Sequence, residues 1–159
     1  MPSTLDPHDR RLLALLQEDA GRTAEELAQQ VPLSVSAIQR RIKRLRDEGV
    51  IERQVAVVDP EAVGGVTMFL ATLQLAQEHP QRLQQLRRWL AACPEVQQAY
   101  YVTGENDFVL IICAEDVARY ESLMTRLMAD NTDVQRYTTR VVLSPVKRGL
   151  AVPIAGAKA

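Results

Sequence analysis

SVSAIQRRIKRLRDEG, residues 34–49, decides how the first third of the chain folds. Ser34 is placed to cap a helix, and at about 100° per residue Val35, Ile38, Ile42 and Leu45 fall within about 80° of one another. Ser36, Arg40, Lys43 and Arg44 lie opposite that stripe, Gln39 at its margin, and Arg41 and Arg46 nearer the apolar edges. From Ser34 to Arg46 there are five basic side chains and no acidic one. Residues 1–50 as a whole hold eight of each sign, so positive charge is concentrated here rather than in excess. A helix that must pack on a small domain and also lie against DNA needs this division between a buried stripe and a cationic face.

The flanks supply the rest of a three-helix unit. Leu5-Asp6-Pro7 reads as a helix start, with Asp6 as N-cap and Pro7 in the first turn, followed by an apolar face of Leu12, Leu13, Leu15 and Leu16. Thr23 and Glu26 have the spacing of a capping box, and Leu27, Ala28 and Val31 give the second helix its buried side. Leu33 and Ile38 sit as a hydrophobic staple around the Ser34 cap, and Gly49 is placed to end the third helix. Only Val31-Pro32-Leu33 joins the second helix to the third, the layout of a helix-turn-helix. Pro32 stands where such turns commonly use a glycine at positive φ, which predicts a different backbone path or an early end to the second helix.

Beyond residue 51 the periodicity changes. Val55, Val57 and Val58 suggest a short strand, with Asp59-Pro60 and Gly64 turning the chain out of it. Strands are expected at 66–76, 96–103, 108–114 and 134–143. The first is bounded by Gly64-Gly65 before it and Gln77-Glu78-His79-Pro80 after it, and Gly104-Glu105-Asn106-Asp107 joins the middle pair. Helices are expected from Pro80 to Cys93, before Pro94, and from the Asp116 cap to Asp130-Asn131. The order βαββαβ predicts a ferredoxin-like sandwich, so the fold class is α+β, a helix-turn-helix followed by an effector and dimerisation domain. The expected division is 1–51 DNA-binding, 52–65 linker strand and hinge, 66–148 ferredoxin-like, and 149–159 tail, with Ala155–Ala159 disordered. Met68 and Leu70 alternate with Phe69 and Leu73, and Phe108, Leu110 and Ile112 alternate with Val109, Ile111 and Cys113, so both faces of the sheet are apolar and the helices can cover only one. A second copy of the chain is the expected cover, since a tail folding back from Leu150 to Ile154 would cover only a small patch.

Several function classes lack support. Cys93 and Cys113 fall in a helix end and an apolar strand, and His8 and His79 read as surface or capping residues, so neither metal ligands nor a nucleophile with its base are in view. There is no glycine-rich phosphate loop, and no catalytic residue, metal or cofactor is expected. No run of 18 apolar residues and no secretory start occurs, which points to a cytoplasmic protein without a membrane partner. A metabolite-binding module with a protein-contact head is the other class considered, but it gives no reason to exclude every acid from the third helix.

Taken in order, these features resemble the Lrp/AsnC (feast/famine) family of transcriptional regulators. The resemblance runs through Leu5-Asp6 with Asp9, Leu33-Ser34, Arg41, Leu45, Gly49 and Ile51, then Asp59-Pro60 and Gly64. It continues through Val102-Thr103-Gly104-Glu105-Asn106-Asp107-Phe108 and ends at Val142-Leu143 with Val146-Lys147. It implies binding to double-stranded DNA, with Ser34, Ser36, Gln39, Arg40, Arg41, Lys43, Arg44 and Arg46 as the candidate contacts. It further implies an amino acid or similar small effector between dimers, near Thr103, Gly104, Glu105 and Asp107, with Tyr101, Tyr137 and Thr139 as walls. Dimers of the family assemble further, so tetramers and octamers are within the implied range. Tyr137 departs from the pattern, standing where many members carry the first of two threonines, which would narrow the pocket. With five cations from each of two heads, about ten phosphates could be neutralised, for a salt slope no steeper than about −9.

Overall fold

The computed structural model describes residues 4–76 and 79–156; Gln77, Glu78 and Ala157–Ala159, which figured in the expectations above, lie outside the described residues. Helix α1 (Pro7–Glu18) starts as its sequence dictates, with Asp6 accepting from the Asp9 N–H and Asp9 accepting from the Asp6 N–H. Helix α2 (Ala24–Ala28) carries the Thr23–Glu26 capping box, and α3 (Val35–Asp47) is capped by Ser34, whose hydroxyl accepts from Ala37. Such caps are worth about 1 kcal/mol each and fix where three short helices begin. Leu12, Leu15, Leu27, Val31 and Ile38 form their common core. The Pro32 difficulty is solved by ending α2 at Ala28 and closing a three-residue turn in which the Leu33 N–H donates to the Val31 carbonyl at 2.7 Å. A proline ring suits the centre of such a turn, and positive φ is not needed.

Residues 52–59 hold no strand, contrary to expectation. Val55, Val57 and Val58 are exposed, and a β-branched run with no ladder partner has nothing to bond to. A single 3-10 turn (Glu61–Val63) and two glycines at positive φ, Gly64 and Gly65, then lead into the sheet.

Strand β1 (Thr67–Leu75), helix α4 (Pro80–Ala92), strands β2 (Val96–Tyr101) and β3 (Phe108–Ala114), helix α5 (Val117–Asp130) and strand β4 (Val134–Val141) complete the chain. The sheet order is β2-β3-β1-β4 and all three pairings are antiparallel, the ferredoxin-like arrangement. β2 stops two residues earlier than expected: past Tyr101 the Val102 N–H still donates across to the Asp107 carbonyl, and the chain then enters the turn. Phe69, Ala71, Leu73, Phe108, Leu110 and Ile112 face α4 and α5, meeting Leu86, Leu90, Tyr120, Met124 and Leu127. Phe69 and Tyr120 stack with ring centroids 4.0 Å apart. The opposite sheet face presents Met68, Leu70, Val109, Ile111 and Cys113, each only partly buried. His79 precedes α4 without making a side-chain cap.

The described chain divides into two compact units, one of residues 58–146 and one of the first 57 residues together with the chain from Lys147 onward. The tail, set aside above as a cover for the sheet, lies instead with the first unit, and of the stretch expected to be disordered Ala155 and Gly156 are described while residues 157–159 lie outside the described residues. Gln17 bonds Val152 twice, accepting from its N–H at 2.8 Å and donating to its carbonyl at 3.0 Å. Arg10 donates to the Ala155 carbonyl, so the tail is held on α1 by backbone groups that any extended segment offers.

Candidate nucleic-acid interface and effector region

The charges on α3 are not equivalent once α1 is beside it. Ser36, Gln39, Arg40, Lys43 and Arg46 are exposed, whereas Arg41 and Arg44 are partly withdrawn. Asp9 explains the difference. It lies on the apolar stripe of α1 with Leu12 and Leu16, and its side chain is 1% exposed. Arg41 Nη1 donates to Asp9 Oδ1 at 2.8 Å and to Asp6 Oδ2 at 2.6 Å, and Arg44 Nη2 donates to Asp9 Oδ2 at 2.6 Å. Two carboxylates thus meet two guanidiniums at the α1–α3 contact, which offsets the desolvation that a lone buried carboxylate would suffer. The Asp9 N–H and the Arg41 guanidinium hold the Asp6 carboxyl below its ordinary range, and both carboxylates in turn raise Arg41. Arg44 reaches Asp9 at a cost, since its Nε is buried without a hydrogen-bond partner among the described residues, which typically costs about 1–3 kcal/mol.

Arg44, read from sequence as standing clear opposite the buried stripe, is therefore engaged within the protein. Arg41, read as an edge residue, is engaged there too. Lys43 pairs with Asp47 one turn on, both exposed, and Arg46 donates to Gln54 at the surface. Ser34 serves as the cap and also shares a hydroxyl contact with Ser36 at 3.2 Å. Asp9 was not picked out from the sequence as a site residue. The available signal was an acid on an otherwise apolar helical stripe.

In the second unit, Gly104 has φ 114° and the space where a side chain would stand is open. Asp107 is bound into the fold: its Oδ2 accepts from the Leu75 N–H at 2.7 Å, and its own N–H donates to the Leu73 carbonyl. It thereby ties the β2–β3 turn to the end of β1. Tyr101 packs against Phe108, with the Arg87 guanidinium 4.9 Å from its ring centre. Thr103 and Glu105 are exposed. Tyr101, Phe108, Leu73 and Tyr137 share one row across the sheet, which puts Tyr101 and Tyr137 on opposite edge strands, three spacings or about 14 Å apart. Thr139 is on the Tyr137 edge, its hydroxyl 2.5 Å from that of Tyr120, whose phenol is pushed up by burial. The seven residues expected around an effector thus form two groups within a single chain. A partly open pocket of this unit, about 200 Å³ bordered by Leu75, Leu83, Leu86, Asn131 and Val134, includes none of them.

Among the described residues no three His, Cys, Asp or Glu side chains are grouped to hold a metal ion, and no helix is long and apolar enough to cross a membrane. Burial, followed by the neighbouring Glu95 carboxylate, pushes the Cys93 thiol up, away from the thiolate form that a nucleophile needs.

Known proteins agree with this architecture. Residues 5–52 match the family model for winged helix-turn-helix DNA-binding, and residues 68–152 match that for the Lrp/AsnC ligand binding domain. An uncharacterized HTH-type transcriptional regulator of Sinorhizobium fredii is 41% identical over 150 residues, covering 94% of this chain and 89% of the relative. The crystal structure of an AsnC family transcriptional regulator from Agrobacterium tumefaciens superposes with a TM-score of 0.85 at 28% identity, over 94% of this chain and 97% of the other. A transcriptional regulator from Neisseria meningitidis, solved as its L-Met complex, has the same TM-score of 0.85 at 26% identity, over 96% and 98%. The chain belongs to the Lrp/AsnC family and is a DNA-binding transcriptional regulator rather than an enzyme.

Proposed function

We propose that this regulator is sequence-specific, acts as a homodimer, and responds to an amino acid or a similar small effector. The observation that carries the DNA reading is the outward display of Ser36, Gln39, Arg40 and Lys43 on one face of α3, while Ile38 and Leu45 are buried on the other and Val35 and Ile42 partly so. In a helix-turn-helix the early part of the recognition helix reaches base edges, so Ser36, Gln39 and Arg40 read sequence while Lys43 and Arg46 hold phosphates. Replacing Arg40 by alanine is expected to cost about 1–3 kcal/mol at the cognate site and to relax preference at one base pair. A competition gel-shift against randomised duplexes measures both. Equal weakening on cognate and random DNA would remove Arg40 from sequence reading.

The domain roles follow from this reading: 1–51 binds DNA, 52–65 is the hinge, and 66–148 binds effector and pairs the chains. The turn from Thr103 to Asp107 is the effector end, where Gly104 leaves the main chain open to a carboxylate. Support comes from the ligand-binding description of the matched family and from the L-Met complex of the Neisseria relative. Tyr137 and Thr139 would join that turn from a second copy, because within one chain they lie on the far edge strand. A thermal-shift screen against the common amino acids tests this, since a ligand that binds only the folded state raises the midpoint by mass action. A flat response across the set, with DNA binding equally indifferent to amino acids, would sink the effector reading and leave the DNA reading intact.

A further inference from the structure

We propose that Asp9 is a positioning residue for DNA binding, which withholds two of the five cations of α3 from the phosphate backbone and leaves discrimination to the residues that face outward. The proposal rests on α3 being the helix that lies on DNA. Its grounds are geometric. Asp9 sits on the buried face of α1, carries no exposed surface to speak of, and receives Arg41 on one carboxylate oxygen and Arg44 on the other. Arg44 takes that position even though its Nε is left without a partner among the described residues. Its side chain is still 39% exposed, and the hydrogen bond that draws its guanidinium inward is the one to Asp9.

The functional consequence follows from how DNA affinity is built. Every cation that reaches a phosphate adds sequence-independent, salt-sensitive affinity, and random DNA profits from it as much as the cognate site does. With Arg41 and Arg44 drawn to Asp9, α3 offers Arg40, Lys43 and Arg46. Two heads then present about six cations instead of ten, and the expected salt slope is near −5 rather than −9. Asp9 also fixes the roll of α3 about its axis, since two guanidiniums one helical turn apart are held by one carboxylate.

The test is the salt dependence of binding to a mixed-sequence duplex of about 30 base pairs, followed by fluorescence anisotropy between about 50 and 200 mM KCl. Asp9→Asn removes the charge at nearly constant shape and frees Arg44, so the slope should steepen by about 0.9 per head, with tighter binding at low salt. Glu25→Gln adds the same net charge at an exposed position on α2 and should leave the slope alone. An unchanged slope in Asp9→Asn, or an equal steepening in Glu25→Gln, overturns the proposal. If Asp9→Asn does not fold, Arg44→Gln decides, because Asp9 there keeps Arg41: an unchanged slope supports the withholding, and a drop of about 0.9 per head refutes it. Arg40→Gln serves as the reference and should flatten the slope. If it does not, α3 is not on the DNA and the reading beneath the proposal fails with it.

Discussion

Asp107 has a structural occupation before any effector arrives. Its carboxylate accepts the Leu75 N–H, a group past the last regular rung of β1 that would otherwise be half-buried without an acceptor. Its own N–H closes on Leu73, so one residue fastens the β2–β3 turn to the neighbouring strand. Leaving a buried amide without its partner costs about 1–3 kcal/mol, and Asp107→Ala is expected to lower stability by that order in the absence of any ligand. Chemical denaturation followed by circular dichroism measures it. A variant as stable as the parent that nonetheless lost an amino-acid response would return Asp107 to the role of ammonium acceptor. The sequence allows both roles because an acid after a Gly-Glu-Asn turn caps it as readily as it binds a ligand. Only the register, which brings the end of β1 beside that turn, decides which hydrogen bond is made.

At the scale of elements, the parts of the fold set by local chemistry were legible. Caps at Asp6, Thr23, Ser34 and Asp116 begin their helices where a short polar side chain can take an N–H three residues on. Alternation placed β3 within its observed bounds, because one face of every strand meets the helices. The misreadings share a cause, which is that the partner is distant in sequence. Val55, Val57 and Val58 have strand composition but no strand beside them. Arg44 reads as a free cation by helical geometry, yet it ends on a carboxylate 35 residues away. A helical wheel assigns faces relative to an axis. It cannot say that one carboxylate across the contact will draw two of the cations back towards α1. For the same reason the effector residues divide between two sheet edges: proximity in sequence joins Tyr101 to Asp107, whereas Tyr137 and Thr139 are placed by the β1–β4 pairing alone.

The whole molecule is governed by connections that cross between its units and by a sheet face that its own helices leave uncovered. The chain passes from one unit to the other twice, near Val57 and again near Val146, because the tail returns to α1. Both α4 and α5 lie on the side of Phe69 and Leu110, and the other side centres on Leu70 and Ile111, which are register partners. Around them stand Met68, Val109 and Cys113, with Gln98 and Tyr100 along one edge and Arg136, Thr138 and Arg140 along the other. An apolar centre with a polar and charged rim is the anatomy of a protein interface, and a second copy supplies a matching surface by symmetry. Ile111→Lys tests this at the centre of the patch. The lysine stem can lie along the sheet and reach water in a single chain, so folding should survive, whereas two buried ammonium groups facing one another should not be tolerated. Sedimentation equilibrium is expected to show the parent chain as a dimer or a multiple of it and Ile111→Lys as a single chain with an unchanged far-ultraviolet spectrum. Binding to a two-half-site operator should fall with it, because two heads no longer arrive together, while binding by a lone head should persist. A variant that stayed dimeric at micromolar concentration would place the pairing surface elsewhere and leave this apolar face without its cover.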